Sequence, residues 1–274
     1  MAQGIIRTML DYDFMRHAFA AATPVAIVAG VVGYFLVLRG QTFAGHALSH
    51  VGFTGATGAV LVGFPPLWGL VLMTLSAGVG MGLLGEELAQ RDVAIGLVLA
   101  FALGLGLLFL SFFTAYATQA TTLLFGNVLA VDVRTVWSLV GLGIVTLLIL
   151  AVISRPLLFA TLQPELAEAK GVSLRRYSVL FMIVVALATS QSAQIVGVLL
   201  VFALMVGPAA AAQRLCASIP IGIALSAALA LVEAWLGITL AYYTDWPSSF
   251  WIVALSVAVY LLSVIPSVAV RSAA

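Results

Sequence analysis

The stretch Val136-Trp137-Ser138-Leu139-Val140-Gly141-Leu142-Gly143-Ile144-Val145-Thr146-Leu147-Leu148-Ile149-Leu150-Ala151-Val152-Ile153 contains no charged residue and no period-two alternation. A strand would be shorter or would alternate; a helix of this length rises about 27 Å, close to the thickness of a bilayer's hydrocarbon core. Eight further apolar runs follow the same reading: Phe19–Leu38, Phe43–Gly63, Leu67–Leu84, Val93–Phe113, Tyr177–Gln194, Ile195–Ala212, Ile219–Tyr243 and Phe250–Ile265. Only the polar run Thr189-Ser190-Gln191-Ser192 interrupts the pair around Gln194, so eight spans are possible in place of nine.

The composition agrees. The 274 residues are 64% hydrophobic and 8% charged, with a mean hydropathy of +1.22. Soluble domains carry about 25% charged residues, so a soluble enzyme, a nucleic-acid binder and a disordered chain are excluded. The expected architecture is all-α, one polytopic transmembrane helix bundle spanning 1–274, embedded in the lipid membrane. Glycines spaced for close helix contact, as in Gly78-Val79-Gly80-Met81-Gly82, fit such packing. One cysteine, Cys216, excludes an intrachain disulfide. The single lysine, in Glu168-Ala169-Lys170-Gly171-Val172, is not preceded by a glycine-rich phosphate loop. The chain is therefore not expected to hydrolyse ATP itself. Asp11 and Asp13 before the first apolar run argue against a cleavable signal.

Basic residues set the expected orientation. With nine spans and a cytoplasmic C-terminus, Arg39, Arg91, Arg155, Lys170, Arg175, Arg176, Arg214 and Arg271 face the cytoplasm, and Arg7, Arg16 and Arg134 face out. The N-terminus is then outside. The longest cytoplasmic connection, about 154–176, contains a short helix with full punctuation. Pro164 suits the first helical position, Glu165 and Glu168 lie near the positive end, Lys170 at the negative end, and Gly171 at the C-terminal cap. So short a helix needs a surface to lie on, either its own bundle or a cytoplasmic partner.

Three ionisable groups fall inside spans, where they are costly and mark pathways or sites. His46 and His50, at i and i+4, share a helical face and can hold one divalent metal through neutral imidazoles, or can bond to neighbouring helices. Ala47 occupies the place of the metalloprotease base, so hydrolysis by that route fails. Glu233, fourteen residues into its span, lies near the midplane. It is either a structural hydrogen-bonding group or part of the pathway, for example as a third metal ligand.

Six segments, in order, resemble one family. They are Phe14-Met15-Arg16-His17-Ala18; Val37-Leu38-Arg39 with Gly45-His46-Ala47-Leu48-Ser49-His50; Leu124-Phe125-Gly126-Asn127-Val128-Leu129-Ala130-Val131; Ile195-Val196-Gly197-Val198-Leu199-Leu200-Val201; Pro208-Ala209-Ala210-Ala211-Ala212; and Leu240-Ala241-Tyr242-Tyr243-Thr244-Asp245-Trp246-Pro247-Ser248. Together they are similar to the membrane permease subunit of ATP-binding-cassette importers for manganese, zinc and iron. The resemblance implies a homodimeric permease, a separate cytoplasmic ATP-binding subunit and an extracytoplasmic metal-binding protein. It implies that Gln163, Pro164, Glu165, Leu166, Glu168, Lys170 and Gly171 form the ATPase-coupling helix. It also implies that the transported ion, rather than a permanently bound cofactor, visits His46 and His50. The family usually has Asp at position 46, and imidazole there shifts the site toward nitrogen-preferring ions such as zinc. The family's Asp-Pro-Glu reads Gln163-Pro164-Glu165 here, and Glu233 carries over from no family motif. A secondary metal transporter driven by an ion gradient, for which Glu233 would be the proton carrier, is the alternative; an intramembrane metalloenzyme is a third.

Overall fold

The computed structural model describes residues 9–83, 88–113, 124, 126, 128–198 and 200–272. Leu84, Phe125, Asn127, Leu199 and Arg7, which entered the sequence argument, lie outside the described residues, as do the side chains of Arg91 and Arg271. Ten helices follow one another among the described residues: α1 Asp13–Leu38, α2 Thr42–Leu61, α3 Pro66–Leu83, α4 Leu88–Ser111, α5 Val133–Leu162, α6 Pro164–Ala169, α7 Leu174–Val196, α8 Val201–Leu215, α9 Ile219–Thr244 and α10 Ser248–Ser272. All but α6 coincide with the nine apolar runs.

Seven of these nine are long and apolar enough to cross a membrane. The other two, α2 and α8, differ from these seven. Helix α2 has the length, but His46, Ser49, His50, Thr54 and Thr57 dilute its apolar character. Helix α8 has 15 residues, a rise of about 22 Å, too short to cross alone. The break before α8 also lies elsewhere than expected. Thr189, Ser190, Gln191 and Ser192 are fully buried inside α7, not at a wet outer turn. Most of their polar groups find partners within the bundle: Ser190 Oγ bonds Ala186 O, Ser192 Oγ bonds Ala188 O, Thr74 and Ser190 hydroxyls meet at 2.8 Å, and Gln191 Nε2 donates to Thr146 Oγ1 at 3.0 Å, while Gln191 Oε1 is buried without a partner among the described residues. The chain turns instead at Gly197, whose φ of +77° is cheap only for glycine. Gly126 packs on this turn so closely that a Cβ there would meet Gly197 N and Ile195 O.

Helices α1 and α7 form the centre. Ala18, Ala21, Ala22, Val25, Ala26, Val28, Ala29 and Val32 bury one broad face of α1, because small residues let α5, α7, α8 and α9 approach its backbone. Helix α5 turns Trp137, Ile144, Val145, Leu148 and Val152 outward, as suits a lipid-facing span. Of the Gly78–Gly82 cluster, Gly78 and Gly82 meet α7 while Gly80 faces open space. Helices α2 and α3 cross with Gly55 and Gly69 backbone to backbone. Gly55→Val should therefore overpack the crossing and cost about 3 kcal/mol, seen as a lowered unfolding temperature in detergent; an unchanged temperature would mean that the helices part freely.

The bundle has two distinct ends. Arg39 donates to Thr161 Oγ1 at 2.7 Å, and Gln213 Nε2 to Tyr34 O at 2.9 Å. These bonds gather the ends of α1, α5 and α8, with Arg39 and Arg214, on the side that carries α6. At the other end the rings of Tyr12 and Tyr242 lie 6.3 Å apart, and Trp246 stacks on Trp251 at 5.6 Å, the amphipathic aromatics of a membrane interface. There Asp132 caps α5 by accepting from Thr135 N at 2.9 Å, and its hydrogen bonds from Thr135 hold the carboxyl below the usual carboxylate range.

Candidate functional site: an imidazole pair and a docking helix

His46 and His50 meet as their spacing requires. Their ring centroids are 4.7 Å apart and nearly perpendicular. His50 is buried and His46 half-buried. Neither buried Nδ1 has a hydrogen-bond partner among the described residues, so this nitrogen of each ring is not engaged by neighbouring helices. Ser49 turns away and donates to His46 O at 2.7 Å. The His46 ring stands edge-on to Phe202, near the start of α8, at 5.5 Å. No group of three or more His, Cys, Asp or Glu side chains assembles among the described residues. The pair therefore offers two nitrogen ligands and leaves the rest of a shell to water or other groups, an open site rather than a closed structural one.

Glu233 lies on α9 and is 1% exposed. It faces Ser256 of α10 rather than standing beside the imidazoles as a third member of a cluster. Ser256 and Phe202 were not singled out by the sequence. Gly197, near the start of the run Ile195–Ala212, was the available signal for the nearby break, because Gly-interrupted segments mark sites in transporters.

Helix α6 is built as its punctuation demands. Pro164 opens it after Gln163. Gly171, at a φ of +81°, ends it through two bonds, Gly171 N to Glu168 O at 2.8 Å and Val172 N to Ala167 O at 2.9 Å, the paired closure of a Schellman motif. Lys170 Nζ lies 5.8 Å from the Phe159 ring centroid, tying this end to α5. Ala167 is buried against the bundle, while Leu162, Glu165, Leu166 and Glu168 are exposed. One face of the helix rests on its own chain and the other presents leucines and acids outward.

Comparison with known proteins agrees with this arrangement. The model of the ABC 3 transport family matches residues 11–267. The chain belongs to that family. This ABC 3 family chain is 31% identical to the manganese transport system membrane protein MntC of Halalkalibacterium halodurans, over 93% of its own length and 88% of the relative's. It is 31% identical to the manganese import system permease protein ScaB of Streptococcus gordonii, over 96% and 95% of the two lengths. Among solved structures, PsaBC from Streptococcus pneumoniae in complex with Fab contains a chain that superposes with a TM-score of 0.85 at 28% identity, covering 96% of this chain and 95% of that one. The ABC 3 protein is a multi-pass membrane permease, the membrane component of its family rather than the ATPase.

Proposed function

We propose that the chain forms the translocation pathway of an ATP-driven importer for a divalent transition-metal ion, zinc or manganese. It works as a homodimer in the cytoplasmic membrane, with a cytoplasmic ATP-binding subunit and an extracytoplasmic metal-binding protein. The observation that carries this reading is the imidazole pair, 4.7 Å apart inside a transmembrane permease bundle. The similarity to membrane proteins of manganese transport and import systems supports manganese; the imidazole at position 46 favours zinc. The orientation follows the side on which Arg39, α6 and Arg214 gather, which is the cytoplasmic side by the positive-inside rule. The N-terminus is then outside and the C-terminus inside. Helix α6, with Gln163 to Gly171, is the contact through which ATP-driven motion enters the bundle.

The test is uptake of radioactive zinc and manganese into proteoliposomes holding the chain together with the ATPase purified with it, with the metal-binding protein supplied on the opposite side from α6. Uptake is expected only with ATP inside the compartment that α6 faces. Uptake by the chain alone, driven by a proton gradient and indifferent to ATP, would establish the secondary-transporter alternative instead.

A further inference from the structure

The corner between α1 and α2 is closed by its own backbone. With Gly40 at a φ of +63°, Gly40 N donates to Val37 O and Gln41 N to Leu36 O, each at 3.0 Å, the paired bonds of a Schellman motif. Helix α2 starts at once, Gly45 N donating to Gln41 O at 3.2 Å. Its first turn lies so close on α1 that a Cβ at Gly45 would overlap the Leu36 side chain. The end of α1 and the start of α2 therefore move as one piece, and His46 follows Gly45 directly.

Arg39 stands at this corner and reaches three other parts of the chain. One terminal guanidinium nitrogen donates to Thr161 Oγ1 of α5 at 2.7 Å, and Nε donates to Gln41 Oε1, just ahead of α2, at 3.4 Å. The guanidinium carbon lies 5.5 Å from the centroid of the Phe181 ring on α7, a cation–π contact. Thr161 sends its own proton back to Leu157 O at 2.6 Å, so its oxygen is left to accept from Arg39, and the donor and acceptor roles agree. Arg39 is half-buried and Gln41 buried. A planar fork with donors on separate nitrogens holds Thr161 and Gln41 at once, which an ammonium on a flexible stem is not shaped to do.

Thr161 adjoins the docking helix. Helix α5 ends at Leu162 and α6 opens at Pro164. Gln163 N donates to Phe159 O at 3.0 Å, and Lys170 Nζ lies 5.8 Å from the Phe159 ring centroid, so both ends of α6 are tied to the last turn of α5. A displacement of α6 carries Thr161 with it and, through Arg39, pulls on the corner that bears the imidazole helix.

We propose that Arg39 is a positioning residue for transport: its bond to Thr161 passes the ATP-driven movement of α6 to the α1–α2 corner, and so to the helix that holds His46 and His50. The proposal rests on the ATP-driven permease reading above. Arg39 then does more than mark the cytoplasmic side, which is all that the positive-inside rule asks of it. Spatial intermediacy alone does not make a coupling route, so the bond itself has to be tested.

The experiment measures metal ions carried per ATP hydrolysed. The full chain is reconstituted in proteoliposomes with its ATPase and the metal-binding protein, and Mn²⁺ uptake and ATP hydrolysis are followed on the same preparation. Arg39→Lys keeps the charge and loses the fork; Thr161→Val keeps the shape and loses the acceptor. Each is expected to lower the ratio by about tenfold, inside the range of coupling between distant sites. Hydrolysis, recovery of the ATPase and equilibrium Mn²⁺ binding to the chain stay at wild-type levels. Thr161→Ser, which retains the hydroxyl, is expected to keep the wild-type ratio. Because both residues serve one bond, Arg39→Lys/Thr161→Val should be no worse than either single change. An unchanged ratio in Thr161→Val overturns the proposal, as does an equal loss in Thr161→Ser. Uptake and hydrolysis falling together in Thr161→Val, with a lowered thermal melt, also overturn it, because that is what a merely structural contact predicts. If Arg39→Lys fails to fold, the two Thr161 variants decide. Wild type that takes up Mn²⁺ without ATP overturns the ATP-driven reading itself, a result distinguishable from the others because it needs no variant.

Discussion

Combining Glu165→Arg with Leu166→Asp is expected to abolish ATP-driven metal uptake while the chain still inserts and folds. Both residues lie on the outward side of α6 and are exposed, whereas the contacts that build the helix lie elsewhere. Pro164 opens it, buried Ala167 anchors it, and the Gly171 and Val172 amides close it on Glu168 and Ala167. Surface substitutions away from such features leave folding nearly unchanged. Against a partner the same changes are severe. A charge of the wrong sign replaces Glu165, and a carboxylate replaces the leucine that a docking groove would bury. Loss of one central contact typically weakens an interface by about 2 kcal/mol, roughly 30-fold, and here two neighbouring contacts are reversed together. Recovery of the ATP-binding subunit with the tagged permease should fall in parallel with uptake, while the thermal melt of the permease stays in place. Uptake and recovery at wild-type levels would assign α6 to its own bundle alone, the other surface on which so short a helix could lie.

What the sequence made legible follows from the solvent. In lipid the backbone must satisfy itself, so long apolar runs have to be helical, and each of the nine runs falls largely on one helix. The coupling helix was readable for a different reason: Pro164 and Gly171 are local conformational signals that need no tertiary context. Side-chain pairs on one turn, such as His46 and His50, were readable because helical spacing fixes their proximity. Polarity points to a helix end at Thr189–Ser192, whereas the structure breaks the chain at Gly197. Inside a bundle, Ser190 and Ser192 bond back to the preceding turn and Gln191 reaches Thr146, so a polar run can continue a helix where a glycine with positive φ cannot. The surroundings of Glu233 were illegible because Ser256 is remote in sequence and carries no motif. Which apolar face turns inward was equally hidden, since α5 is hydrophobic on its lipid side as well as its buried one.

Replacing His46 or His50 by alanine is expected to reduce zinc and manganese uptake by about 100-fold, the upper range for disturbing even the outer partners of a metal ligand. The two rings are each other's neighbours at 4.7 Å, and with two nitrogens in the site, losing either leaves a single protein ligand from the pair. His46→Asp should behave differently. It exchanges an imidazole for a carboxylate at the same turn, and oxygen donors favour manganese over zinc relative to nitrogen donors. Manganese uptake should recover in that variant more than zinc uptake does. The substitution also tests whether the half-buried ring at 46, which meets Phe202 at 5.5 Å, serves chiefly as packing. A packing role predicts that Asp, smaller and charged, is worse than Ala for both metals. Acidification gives an independent check, because a protonated imidazole has no lone pair to offer. Wild-type loading should weaken as the histidines take up protons, and His46→Asp, with one imidazole fewer, should depend on pH less steeply. Full transport of both metals by the double variant His46→Ala/His50→Ala would show that the pair is structural and that the ion takes another path.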